Sequence, residues 1–154
     1  MIRSKKPRAP RVPLTRGGAK NRAVVNAARI AELDNITSSH RRKRIDHLVK
    51  VGDIEKKHRL VPLSVEDLAD LDNARKSFVA HLDGLSEMQA KVEHTLRINK
   101  KHGPDTTPGY TTTQLEEIKR TAESDTKQTS ATIKRIDAIL EKDARIHHVK
   151  LTRP

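Results

Sequence analysis

The run His40-Arg41-Arg42-Lys43-Arg44 places four cations on one turn of chain. Arginine and lysine at this density neutralise phosphates, and each contact releases counterions, so binding of this kind falls steeply with salt. A second basic series precedes it: Arg3, Lys5, Lys6, Arg8, Arg11, Arg16, Lys20 and Arg22. Spaced through Pro7, Pro10 and Pro13, these side chains can track a phosphate groove as an extended arm. The chain has one Phe, one Tyr and no Trp, which argues against the stacking platforms that read single-stranded bases. The expected contact is with the phosphate backbone, driven by shape and charge, with RNA ahead of DNA. The same run also reads as a nuclear-import tag, as a solvated face, or as an attachment to an acidic protein or a membrane.

Other chemistry is sparse. The eight histidines (His40, His47, His58, His81, His94, His102, His147, His148) form no HExxH motif and no carboxylate-rich cluster. No metal site is expected, and His147-His148 reads as a surface pair. There is no cysteine, which removes disulfides and thiolate metal sites. No phosphate-cradling glycine loop, nucleophile elbow or paired carboxylates can be read. The expectation is a non-enzyme without a cofactor or a small-molecule substrate. Glu66, Asp67, Asp70 and Asp72 are accounted for as helix-start electrostatics.

The charge is distributed unevenly. Of the net +12, all lies in residues 1–63, with 17 Lys/Arg against 5 Asp/Glu; residues 64–154 carry 15 of each. One end is drawn to something anionic, and the other is a charge-balanced body. A chain with 34% hydrophobic residues and two aromatics must pack through thin seams of Leu, Ile, Val and Ala. That favours long helices side by side. No apolar run is long enough to span a membrane, and the basic N-terminus lacks a signal peptide's apolar stretch. The expected location is intracellular (nucleus, nucleolus or cytoplasm) or inside a virion, and not secreted.

These features predict an all-α fold in three parts. Residues 1–20 form an extended basic arm hinged at Gly17-Gly18. Residues 21–63 form a basic segment of short helices, 21–34 and 39–59, separated by Asn35–Ser39. Ser38/Ser39 would cap the second, and Gly52 would kink it. In the first, Val24, Ala28 and Ala31 share a face with Val25 beside them; in the second, Ile45, Leu48 and Val49 form a short stripe with Val51 and Ile54 beyond it.

Residues 64–151 carry the strongest signal, an antiparallel, coiled-coil-like helical hairpin. Ser64 with Asp67 opens a helix over about 64–101. Leu71, Phe78, Leu85 and Val92 repeat every seven residues, with Leu68, Leu82 and Leu96 alongside. His102-Gly103-Pro104 ends it. Thr113 with Glu116 opens a second helix over about 113–149, whose middle, Ser124–Thr132, is nearly all polar. That polar stretch would underpack the Phe78–Leu85 region unless a third helix or a partner covers it.

The expected function is therefore that of an architectural nucleic-acid-binding protein in a large nucleoprotein assembly, a ribosome-like particle or a virion interior. The arm grips phosphates, and the hairpin docks on other proteins through Leu71, Phe78, Leu82, Leu85 and Val92. A basic Pro/Gly arm on a helical body resembles ribosomal-protein extensions in general character. The alternative is a coiled-coil scaffold subunit of a multiprotein complex, whose arm binds an acidic protein.

Overall fold

The structure is a computed structural model that describes residues 16–103, 107 and 109–152, with side chains described from 21 to 146 within those ranges. Three helices make it up: α1 (Arg16–Lys57), α2 (Val65–His102) and α3 (Thr112–Thr152). No strand occurs among the described residues. The arm expected at 1–20 falls mostly outside them, but its last residues, 16–20, already belong to α1.

Helix α2 lies between the other two, packed extensively on both, while α1 and α3 meet each other only sparsely. The core falls into two apolar clusters. In one, Val51 and Ile54 of α1 meet Leu71, Ala74 and Phe78 of α2 and Ile136 and Ile139 of α3. In the other, Ile30 and Leu33 meet Leu85, Met88 and Val92 of α2 and Leu115 and Ala122 of α3. Early α2 thus packs on late α1 and late α3, so both neighbours run antiparallel to α2.

The expected pair of short helices is one helix of 42 residues, about 63 Å long. The polar stretch Asn35–Ser39 does not break it, because tertiary packing on both sides overrides propensity. Thr37 is fully buried and its hydroxyl donates to the Asp34 carbonyl at 3.2 Å. Ser38 and Ser39 cap nothing, and the helix passes through Gly52 without interruption.

The apolar face of α1 is also displaced from the expected one. Val24 and Val25 are 51% and 63% exposed, as are Ile45 (67%) and Val49 (57%). Ala23, Ala27, Ile30, Leu33 and Thr37 turn inward instead, a row at spacings of three and four. Gly84 of α2 marks a close approach to α1: a Cβ there would stand 3.4 Å from the Thr37 methyl.

The helix starts follow cap chemistry. Ser64 accepts from the Asp67 N–H at 3.1 Å, and Asp67 accepts from the Ser64 N–H at 3.3 Å. Lys57 reaches the same carboxylate at 3.2 Å. Burial alone would raise the Asp67 pKa, but Lys57 and Ser64 hold it below its ordinary value. The box opening α3 is not Thr113–Glu116. It lies two residues earlier, where Thr111 and Gln114 exchange backbone and side-chain bonds at 2.9 and 3.1 Å. Gly103 ends α2 with φ +99°, and its N–H donates to the Asn99 carbonyl at 2.9 Å.

The turn between α1 and α2 is pinned to late α3. Buried His58 donates from Nδ1 to the Val61 carbonyl at 3.0 Å. The Leu63 N–H donates to Asp143 Oδ1 at 3.2 Å. With Ile30 and Leu33 in one cluster and Val51 and Ile54 in the other, α1 packs against α2 toward both ends of the bundle.

Candidate nucleic-acid interface

Between the two apolar clusters lies a polar layer to which each helix contributes its own interruption: Thr37, His40, Arg41 and Arg44 from α1, His81 from α2, and Asp125, Thr129 and Thr132 from α3. Asp125 is 5% exposed and is the hub. Arg41 donates from Nε to its Oδ2 at 2.9 Å, and Arg44 donates from Nη1 to its Oδ1. His81, 1% exposed, places Nε2 2.9 Å from Oδ2. Burial alone would push the Asp125 carboxyl up; Arg41, His81 and Arg44 outweigh it and hold it below the ordinary carboxylate range. An ionised carboxylate only accepts, so His81 Nε2 carries the proton.

His40 packs edge-on against His81, with ring centroids 5.4 Å apart. Burial lowers its pKa first, and His81 and Lys43 lower it further. Burial likewise lowers His94, helped by Arg97, Arg22 and Lys91. These groups favour the neutral form in the fold. The unfolded chain binds more protons below the ordinary histidine value of about 6.5, so stability is full above that pH and is lost as pH falls through and below it. Thermal melts from pH 7.5 to 5.0 are expected to show a falling midpoint, and His40→Gln is expected to flatten the fall. A midpoint independent of pH in this window would remove the assignment.

The basic turn is thus divided by helical geometry. Arg41 and Arg44, three residues apart, share the face toward α3. Their side chains remain 29% and 25% exposed. Arg42 and Lys43 face outward and make no ion pair among the described residues. Arg22 is exposed on the same helix. The backbone of Arg16 and Lys20 is helical, with side chains beyond those described; Arg3, Lys5, Lys6, Arg8 and Arg11 lie outside the described residues.

The five residues expected to form a protein interface are placed differently. Leu71, Phe78, Leu85 and Val92 are at most 2% exposed, inside the bundle. Leu82 is half-buried against the second cluster. The heptad row is covered by α1 and α3.

Sequence reading missed His81, Asp125 and Arg120. His81 had a signal: a lone histidine between Phe78 and Leu85 in an apolar row. Asp125 and Arg120 sit in a charge-balanced helix, and only the side-by-side placement of α1 and α3 brings them to the basic turn. Arg120, Thr121, Ser124, Asp125 and Gln128 line, with Arg41 and Arg44, a cavity of about 400 Å³ between these helices. Among the described residues no cluster of three or more His, Asp or Glu could hold a metal ion, and no helix is long and apolar enough to cross a membrane.

No protein-family model, curated protein or solved structure matches this chain. Its class is that of an all-helical protein: the described residues form three long helices with a buried polar layer at mid-height.

Proposed function

We propose that this chain is a non-catalytic, architectural nucleic-acid-binding protein of a large nucleoprotein assembly. The basic face of α1 and the segment before it lie along phosphates, and the outward surfaces of α2 and α3 form the body that meets neighbouring proteins. The observation that carries this reading is the one-sided charge. Helix α1 holds 11 Lys/Arg against 5 Asp/Glu, whereas residues 64–154 are neutral. Arg42 and Lys43 stand outward without carboxylate partners among the described residues. Cations free of partners in the fold are available to displace counterions from a polyanion.

The test is affinity for duplex RNA, duplex DNA and single strands across a salt series. Replacing Arg41, Arg42, Lys43 and Arg44 together would also strip Asp125 of its two arginine partners, so the clean variant is Arg42→Ala/Lys43→Ala. It is expected to weaken binding uniformly across sequences and to reduce the salt slope by about 1.5–2 units, with helicity unchanged. Binding that ignores both salt and this variant would end the reading.

A further inference from the structure

The cavity beside the basic turn has a second chamber. The 400 Å³ space adjoins one of about 320 Å³, and Arg41 and Thr121 border both. The two differ in chemistry. Three arginines and one aspartate line the first, a net of two positive charges. Arg41 spends Nε on Asp125 and Arg44 spends Nη1. The other N–H groups of both, and all of those of Arg120, have no acceptor among the described residues. Asp125 thereby fixes two guanidinium forks in the lining of the chamber, an arrangement that suits an oxyanion with several acceptor oxygens.

The second chamber has the opposite balance, with Asp34 and Glu117 set against Arg41 alone. Arg41, Gln114 and Thr121 add polar groups to its wall, and Tyr110, Met88 and Ile118 supply an apolar side. Tyr110 is half-buried against the second core cluster, so its ring is held in place. An aromatic face beside thioether and aliphatic walls accepts a planar heterocycle, and base stacking on such a ring is tolerant of sequence. The two carboxylates can accept from an exocyclic amine.

We propose that this two-chambered groove between α1 and α3 seats one unpaired nucleotide of a single strand, its phosphate held by Arg41, Arg44 and Arg120 and its base against Tyr110. The inference rests on the nucleic-acid reading above and narrows it. A base can enter the recess only when unstacked, so duplexes are left to the outward cations Arg42 and Lys43. Bases carrying an exocyclic amine (adenine, cytosine and guanine) are favoured over uracil, which offers Asp34 and Glu117 none.

Tyr110 is the sole tyrosine, so its ring resonances report on one place. The full chain, tyrosine-labelled, is titrated at fixed ionic strength with adenosine monophosphate, uridine monophosphate, inorganic phosphate, oligoadenylate and an RNA duplex. Expected are saturable movement of the Tyr110 signals with adenosine monophosphate and oligoadenylate, less with uridine monophosphate, and none with phosphate or duplex. Arg120→Gln, at an exposed position without an ion pair among the described residues, is expected to keep the melt and weaken oligoadenylate about tenfold. Salt-dependent RNA binding with unmoved Tyr110 signals and an unaffected Arg120→Gln variant overturns the seat and leaves the broader reading standing. Absence of RNA binding, with adenosine monophosphate still moving Tyr110, overturns the broader reading and supports the groove as a nucleotide site. Unmoved signals with every probe overturn the seat outright.

Discussion

Without residues 1–63, the remainder of the chain is expected to lose its cooperative melt. Helix α2 is buried on two sides, and α1 supplies one of them along its whole length. Ile30 and Leu33 complete one cluster, and Val51 and Ile54 complete the other. Each is at most 5% exposed. Burying a side chain of this size contributes about 1.5–3 kcal/mol, so the four together contribute roughly 6–12 kcal/mol. That is comparable to the entire stability of a typical domain, about 5–15 kcal/mol. Deletion also uncovers His81 and takes Arg41 and Arg44 from Asp125. Circular dichroism at 222 nm of residues 64–154 should show reduced helicity and a broad transition, or concentration-dependent association in which a second copy covers the bared face of α2. A monomeric fragment melting sharply near the full chain's midpoint would show that α1 is dispensable and that α2 and α3 stand alone.

Sequence pattern located α2 well because Leu71, Phe78, Leu85 and Val92 repeat at a fixed interval and Ser64–Asp67 caps its start; all four apolar residues are in the core. The same reasoning misdirected α1. Val24, Val25, Ile45 and Val49 are on the outside, while Ala23, Ala27 and Thr37 face in beside Ile30, Leu33, Val51 and Ile54. Size ranks residues by hydrophobicity, but the close approach of α1 to Gly84 admits small side chains. The polar stretch at Asn35–Ser39 looked like a boundary since, in one helix taken alone, Ser, Thr and Asn compete with the backbone for hydrogen bonds. Only three helices together show that this stretch, His81 and the Ser124–Thr132 segment lie at one level and complete one another. Half of the basic turn was likewise unreadable: nothing local to Arg41 and Arg44 distinguishes them from Arg42 and Lys43, and the acid that separates their roles is more than eighty residues away.

Asp125→Ala is expected to cost about 3 kcal/mol, lowering the melting midpoint by about 6–12 °C for a chain of this size. Among the described residues the aspartate is the carboxylate that Arg41, Arg44 and His81 share, and removing it leaves them differently placed. Arg41 and Arg44 are a quarter or more exposed and can swing into water, which puts the cost at the lower end of the range for broken buried pairs. His81 cannot, being 1% exposed. Its Nδ1 already has no hydrogen-bond partner among the described residues, so losing Asp125 leaves the whole ring unsatisfied. The double variant His81→Leu/Asp125→Leu separates stability from specificity. If the layer stabilised the fold simply as a set of contacts, the double variant would be at least as unstable as the sum of the singles. The expected result is the opposite: it should melt well above that sum, because filling the layer with apolar side chains removes the unpaired groups. What it should lose is uniqueness. With a continuous apolar seam from Phe78 to Leu85, α3 can slide along α2, and single sharp amide resonances should give way to broadened or doubled ones. A double variant that keeps one sharp set of signals would show that register is fixed elsewhere, by the Arg75–Asp137 and Arg29–Glu87 pairs that tie α2 to α3 and to α1.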